Sequence, residues 1–192
     1  MLKRVVPPSA EPVSAAEAFA HQVLEDQEEE TLVEGYLRAA RELVEARLNQ
    51  SLVSSTWEQT YADFPRRFGE AIRPEVGPLV SVESIAYRDA AGAYQALDPA
   101  LYDVEPGPAG YVARAPQRAW PCLAIRPGAV RVRYVAGYGA PADVPEAAKL
   151  AIKMLAATWY ETREAVVIGV VPAKLEFAVD SLLATLDPGN YV

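Results

Sequence analysis

Apolar residues in the first quarter of the chain recur at the spacing of an α-helix. Between positions 32 and 48 they form one continuous stripe on a helix surface: Leu32, Val33, Tyr36, Leu37, Ala40, Leu43, Val44 and Leu48. Asn49 directly after this stripe is a residue that commonly ends helices. Upstream, Ser14 and Glu17 have the spacing of a capping box, which predicts a shorter helix from residue 15 to about residue 24.

The pattern changes near Leu52 to short alternating segments that are separated by proline and glycine. The predicted strands lie at residues 53–61, 79–87, 94–97, 101–104, 111–114, 122–125 and 130–135. The last is the clearest, because Val130, Val132 and Tyr134 alternate with Arg131 and Arg133. Several short strands at close spacing predict an antiparallel sheet or a small sandwich.

Helical spacing returns near the C-terminal end. Residues 144–161 are apolar on almost every side, which predicts a helix packed on more than one side, with another subunit as a candidate for the second contact. An apolar run over residues 165–171 follows, and residues 179–186 predict a short amphipathic helix. The sequence therefore predicts an α+β fold. A helical domain is formed from both chain ends, residues 1–51 and 141–192, with an antiparallel β-rich insertion over residues 52–140.

Composition narrows the classes of function. The chain has 18 Lys and Arg residues against 26 Asp and Glu, which gives a net charge of −8. The electrostatic field of the whole chain therefore disfavours binding to DNA or to an anionic membrane. Its one cysteine, Cys122, excludes an intrachain disulfide and a cysteine cluster for zinc. Its one histidine, His21, excludes a two-histidine metal site within one chain. No apolar run has the length of a membrane helix, and no signal peptide is expected. The expected compartment of the chain is therefore the cytosol.

No catalytic motif stands out from the residues alone. His21 is interpreted as a surface histidine and Cys122 as a small buried side chain. The Arg66–Arg67 pair and the arginines of the last strand could contact phosphate, but a solvated surface is the favoured interpretation. The residues by themselves predict an oligomeric α+β domain without a visible active site or cofactor. A small hydrolase or a carbohydrate-binding domain that uses scattered carboxylates stays open as the alternative.

Several segments together resemble one family, the head–tail connector (adaptor) proteins of long-tailed phages, prophages and gene transfer agents. In chain order they are residues 12–18, 43–46, 78–85, 97–102, 132–139, 144–149 and 159–167. The ordered set, which ends in the segment that begins Trp-Tyr-Glu-Thr-Arg-Glu-Ala, carries the resemblance. The resemblance covers nearly the whole chain.

The resemblance implies a structural protein and not an enzyme, with no cofactor. It implies a homo-oligomeric ring, expected to be a dodecamer, beneath the portal protein in the neck of a virion or phage-like particle made in a bacterial cytoplasm. The ring would extend the channel through which double-stranded DNA passes without sequence-specific binding. It would also offer a docking platform for the stopper or tail-completion protein, and no membrane is involved. Another neck component, such as a stopper, is the alternative within the same particle.

The C-terminal part of the chain supplies the candidate contact residues. The apolar run over residues 165–171 has no evident segment of the same chain to bury it, so it predicts a contact with another molecule. The candidate subunit or portal interface comprises Trp159, Tyr160, Arg163, Glu164, Val166, Val167, Ile168 and Val171. The candidate portal-contacting tail comprises Leu186, Asp187, Tyr191 and Val192. We expect this tail to be ordered only in the particle, because a Pro-Gly-Asn end offers little to pack against.

Overall fold

The computed structural model describes residues 1–22, 30–67, 69–161 and 173–186, and it contains both helices and antiparallel strands. The strands are β1 (Leu2–Val6), β2 (Ser55–Tyr61), β3 (Leu79–Arg88), β4 (Tyr94–Ala96), β5 (Tyr102–Glu105), β6 (Tyr111–Arg114) and β7 (Val130–Ala136). The helices are α1 (Ala15–Gln22), α2 (Glu30–Leu48), α3 (Glu146–Glu161) and α4 (Ala173–Leu183). The predicted α+β fold class is confirmed.

The chain divides into two compact units. The sheet unit comprises residues 1–8 and 54–137, and the helical unit comprises residues 9–53 and 138–192. The predicted assignment of residues 1–51 to the helical part differs from the structure at its start. Residues 2–6 form strand β1, which pairs with β2, and so belong to the sheet unit. A strand of 5 residues shows too little alternation to be recognised before the two prolines that follow it.

A five-stranded antiparallel sheet in the order β1-β2-β7-β3-β4 forms the base of the sheet unit. The central strand β7 pairs with β2 on one side and β3 on the other. Its alternation defines the two faces, as predicted. Val130, Val132 and Tyr134 are fully buried on one face, while Arg131 and Arg133 lie half-buried on the other.

The predicted strand at residues 122–125 is wrong. These residues have no regular secondary structure, and Ile125 is 64% exposed. Pro121 and Pro127 flank the segment, and proline has no backbone N–H to contribute to a sheet ladder. The segment's apolar composition therefore suggested a strand that the backbone does not form.

The remaining strands, β5 and β6, form a separate two-stranded ribbon. It helps to cover the buried face of the sheet together with the segment between β2 and β3. Ile72 in that segment exchanges two backbone hydrogen bonds with Val112 of β6, at 2.9 and 2.8 Å. Both side chains are buried, so residues far apart in sequence are held together at this point.

Helix α3 lies at the centre of the helical unit. The buried side chains of α3 are Ala148, Ala151, Ile152, Leu155, Ala156 and Trp159. Helices α1, α2 and α4 all contact α3, so helices of the same chain cover the apolar sides for which a second subunit was a candidate. The small alanines let these helices approach closely, and the larger side chains fill the space between them.

Local signals define the helix ends as predicted. The backbone N–H of Glu17 donates to Ser14 Oγ at 3.2 Å, and the Ser14 N–H donates to Glu17 Oε2 at 2.8 Å. This reciprocal pair satisfies two free donors at the start of α1. At the end of α2, Asn49 adopts a φ of 51°, the left-handed conformation that terminates helices.

A buried ion network anchors α2 within the helical unit. The Arg41 side chain is 4% exposed, and its guanidinium donates to Glu11 Oε2 and Glu45 Oε2, each at 2.7 Å. Glu45 is itself 5% exposed, and its second oxygen accepts the backbone N–H of Leu52 at 2.9 Å. The network thus connects the chain before α1, the helix α2 and the segment that follows it.

We expect the sheet unit to lose stability at alkaline pH. Burial raises the pKa of Tyr134 to about 12 and also raises the pKa of Tyr61. An unfolded tyrosine ionises near pH 10, so folding favours the protonated phenol. The stabilisation is therefore complete below about pH 10 and is lost as the pH rises from about 10 towards 12.

Denaturant unfolding across this pH range checks the prediction. The Tyr134→Phe variant should lose less stability between pH 10 and 12 than the natural chain. Tyr94→Phe is the control. Burial alone would raise the Tyr94 pKa, but the hydrogen bond from Arg88 and the charges of Arg131 and Arg88 outweigh it and lower the pKa. An alkaline loss that is identical in the natural chain and Tyr134→Phe would contradict the prediction.

Candidate functional site

The structure describes only the first part of the candidate subunit or portal interface. Trp159 lies near the end of α3, is 5% exposed, and packs in the core of the helical unit. Tyr160 is half-buried against the same core. Among the described residues, the buried Nε1 of Trp159 has no hydrogen-bond acceptor. The other candidates lie outside the described residues: Arg163, Glu164, Val166, Val167, Ile168 and Val171.

The candidate tail is described only at its start. Leu186 is half-buried and packs against the helical core. Its carbonyl accepts a hydrogen bond from Gln50 Nε2 at 3.1 Å, and Gln50 Oε1 accepts the Tyr138 hydroxyl at 2.7 Å. Asp187, Tyr191 and Val192 lie outside the described residues. The last described turn is therefore attached to the helical unit by both packing and hydrogen bonds.

Helix α4 presents an exposed aromatic side chain. Val179 and Leu183 bury one face of the helix in the core, whereas Phe177 on the other face is 76% exposed. Arg47 of α2 holds the helix in place through ion pairs with Glu176 and Asp180. A large apolar side chain presented in this way is a candidate contact for another molecule.

Charge is distributed unequally between the two units. The sheet unit has 11 Lys and Arg residues against 9 Asp and Glu, a net charge of +2. The helical unit has 7 against 17, a net charge of −10. The acidic character expected for the whole chain is therefore confined to one unit, and the other offers a surface for anionic groups.

The sheet unit contains two neighbouring clefts, which together we call the arginine cleft. The first has a volume of about 370 Å³ and is lined by Arg67, Arg73 and Arg114. The second, of about 400 Å³, is lined by Arg66 and shares both Arg114 and Trp120 with the first. Trp120 stacks on the buried ring of Phe64, with the ring centroids 4.6 Å apart and the planes at 5°. This stacking gives the cleft a fixed aromatic wall.

The arginines of this cleft differ in how far they are neutralised. Arg66 pairs closely with Asp63, whereas Arg67 reaches Glu70 only at 3.9 Å and its side chain is 89% exposed. The Arg73 guanidinium lies over the ring of Tyr111 at 5.3 Å from its centroid. The Arg114 side chain makes no hydrogen bond or ion pair with any described residue, and Arg114 is exposed. Two strongly exposed cations are thus available to an anionic partner.

A second arginine group lies at the β3–β4 hairpin. The exposed ring of Tyr94 has the guanidinium of Arg88 at 4.2 Å from its centroid and that of Arg131 at 4.5 Å. The Tyr94 hydroxyl donates to the carbonyl of Gly128 at 2.9 Å. These contacts hold two cations on the partly exposed sheet face, so Arg88 of β3 and Arg131 of β7 belong to an ordered surface.

The carboxylates, the cysteine and the histidine are the residues that bear on the alternative of a carboxylate-dependent enzyme. Within them, no group of three or more His, Cys, Asp and Glu side chains is placed to hold a metal ion. The carboxylates nearest the arginine cleft, Asp63 and Glu70, pair with arginines. Cys122 is exposed, contrary to the expectation of a buried side chain, and His21 lies on α1 with its side chain outside the description. No helix in the described ranges is long and apolar enough to span a membrane.

Solved structures with the same fold come from gene transfer agent (GTA) particles. A chain of the virion of a native GTA particle has a TM-score of 0.76 and 24% identity, over 97% of this chain and 95% of that one. A chain in the neck of a native GTA particle, computed with C12 symmetry, has a TM-score of 0.73 and 26% identity over 97% and 94%. A chain in the neck of an empty GTA particle, computed with C6 symmetry, has 0.72 and 24% over 95% and 94%.

These matches extend over nearly the full length of the chains compared. No protein-family model matches the chain, and no curated protein sequence does. The likeness confirms the α+β fold. The neck chain at 26% identity supports a structural protein in the neck region of a phage-like particle. The two neck structures were computed with rotational symmetry, which is the symmetry of ring oligomers.

The sequence alone does not reveal that the residues of the arginine cleft lie together. Arg67 and Arg114 are far apart along the chain, and tertiary contacts such as the backbone pairing of Ile72 with Val112 and the stack of Phe64 on Trp120 bring their segments together. A weak signal was present in the clustering of basic residues within the strand-rich region, whereas the acidic residues concentrate near α2 and the chain end. The overall net charge of −8 concealed it.

Proposed function

We propose that this protein is a head-to-tail adaptor, a structural component that forms a ring under the portal of a phage-like particle. The observation that carries the proposal is the full-length match to a chain in a GTA neck computed with C12 symmetry. A dodecameric ring is the simplest assembly that agrees with that symmetry. The ring would extend the DNA channel and provide the docking platform for stopper and tail proteins.

The charges of the chain are compatible with a DNA channel. The helical unit carries a net charge of −10, and an acidic wall repels phosphate and lets a duplex slide. A uniformly basic wall would retain the duplex by releasing its counterions. We therefore propose that double-stranded DNA passes through the ring without sequence-specific binding.

The two C-terminal regions remain our proposed contact sites. The segment from Trp159 to Val171 is proposed for subunit or portal contact, and the tail from Leu186 to Val192 for portal contact. The exposed Phe177 on α4 is a further contact residue in the helical unit.

Electron microscopy of the purified protein, alone and mixed with the matching portal, tests the proposal. A ring bound coaxially to the portal would support the adaptor role and report the subunit number directly. A protein that stays monomeric at high concentration and never binds the portal would overturn it. Rings that bind a tail component but not the portal would instead indicate a different neck component.

We expect Phe177→Asp to weaken assembly without unfolding the chain. A side chain that is 76% exposed contributes little to the stability of its own helix, whereas an aromatic side chain that is a hot spot of an interface contributes about 2 kcal/mol or more to binding. Ring formation can be followed by mass photometry and the fold by circular dichroism. Ser181→Asp is the matched control, because it adds the same charge at another exposed position of α4. Equal assembly of both variants would remove Phe177 from the interface.

A further inference from the structure

Two surfaces of opposite charge lie on the two units of this chain. The arginine cleft of the sheet unit contains the exposed Arg67 and Arg114. The helical unit contains a cleft of about 400 Å³ that is lined by Glu11, Glu30 and Glu34, beside the start of α2. Each surface has the chemistry that the other would recognise.

The arginine cleft suits carboxylates held on a protein surface. Guanidinium groups bind carboxylates through paired N–H donors, and the desolvation cost is small because arginine is weakly hydrated. Trp120, Pro65 and Ala113 provide apolar surface between the cations, against which the stem of a glutamate side chain can pack. Asp63 and Glu70 at the cleft edge would repel a continuous phosphate backbone more than separate carboxylates placed beside the exposed arginines.

The start of α2 supplies such carboxylates. Glu30 and Glu34 are exposed, one helical turn apart, and neither has an ion pair among the described residues. Glu11 in the same cleft is occupied by Arg41 at 2.7 Å and lies 3.8 Å from Arg38.

A second copy of this chain is the partner that these observations favour. A ring is built from heterologous contacts, in which one surface of a subunit binds a different surface of the next. A chain with units of +2 and −10 charge provides such a complementary pair by itself. DNA is disfavoured because the net charge of −8 opposes the approach of a polyanion to the whole molecule.

We propose that the arginine cleft of one copy binds the acidic start of α2 of the neighbouring copy in the ring. This inference rests on the proposed ring-forming function and assigns two of its contact surfaces. Arg67 and Arg114 face Glu30 and Glu34 of the adjacent subunit. The contact orients each subunit relative to the next and makes ring assembly sensitive to ionic strength.

A charge-exchange experiment tests the contact on the full chain. One variant carries Arg67→Glu and Arg114→Glu, and a second carries Glu30→Arg and Glu34→Arg. Each alone places like charges opposite each other, so we expect the concentration needed for assembly to rise at least about 100-fold. An equimolar mixture restores opposite charges at every contact if the two variants alternate. It should therefore form rings again, with an even number of subunits.

Controls separate this contact from general charge effects. Arg118→Glu with Arg126→Glu changes the same net charge at exposed positions of the sheet unit outside the cleft lining, and should assemble like the natural chain. Circular dichroism verifies that each variant is folded. Mass photometry at two salt concentrations measures assembly. If the free chain assembles only on the portal, the portal is added to every sample.

The outcomes distinguish this inference from the function on which it rests. If the natural chain forms rings and the cleft variant does so equally well, the inference is overturned while the adaptor role stands. Failure of two folded variants to assemble when mixed also overturns the inference. Unchanged rings combined with lost binding of a short DNA duplex would assign the cleft to nucleic acid instead. If the natural chain never assembles, alone or with the portal, both the function and the inference fail.

Discussion

Replacing Arg41 by alanine should destabilise the helical unit by about 3–5 kcal/mol. The substitution removes the guanidinium that pairs with Glu45, a carboxylate that is 5% exposed and would stay buried without this counter-charge. It also frees Glu11, which ties the chain before α1 to α2 through the same guanidinium. Denaturant unfolding monitored by far-UV circular dichroism measures the effect, because the helical unit dominates that signal.

Arg38→Ala is the matched control for this prediction. Arg38 lies on the same helix and approaches the same Glu11 at 3.8 Å, but its side chain is 64% exposed. An exposed ion pair contributes between about 0 and 1 kcal/mol, so the control should stay close to the natural stability. If the two alanine variants were equally stable, the buried network would not be a major contribution to the fold.

Replacing Tyr134 by alanine should destabilise the sheet unit by about 3–5 kcal/mol. Tyr134 is the largest of the fully buried side chains, with 0% exposure, and it lies on the central strand of the sheet. Removing the ring leaves a cavity. The strands that pair with β7 on both sides hold its backbone in place, so the cavity cannot collapse fully. Differential scanning calorimetry of the variant should show the transition of the sheet unit shifted to lower temperature.

Tyr94→Ala makes the same chemical change at the edge of the same sheet. Its ring is 37% exposed on β4 and contacts two arginines, contacts that contribute about 0.5–1 kcal/mol each at exposed sites. We expect a loss of about 1 kcal/mol, well below that of Tyr134→Ala. A larger loss at Tyr94 than at Tyr134 would mean that the hairpin and not the central strand limits the stability of this unit.

The candidate contacts differ in how far the sequence reveals them. The apolar run over residues 165–171 is recognised from composition, because a long apolar run without polar interruption is unusual outside a core or an interface, and its role as a contact stays a prediction. Exposure of a single residue cannot be recognised in the same way. Phe177 and Leu175 lie on one short helix with similar apolar character, yet Phe177 is 76% exposed and Leu175 packs against the core. Helix orientation, which depends on the neighbouring helices, decides between them.

Sequence alone determined the elements whose signals are local. The spacing of apolar residues defined α2 and β7, the Ser14–Glu17 pair defined the start of α1, and Asn49 defined the end of α2. These signals work because helix and strand periodicities and the free donors of a helix end depend on residues within a few positions of each other.

Only the tertiary structure decided how distant segments combine. The N-terminal strand β1 is part of the sheet, and residues 122–125 form no strand. Helices of the same chain pack against the apolar sides of α3. The tertiary structure also separated a basic sheet unit from an acidic helical unit and joined Arg67 to Arg114 in one cleft. Strand pairing and surface charge depend on which segments meet in space, and in this chain those segments are far apart in sequence.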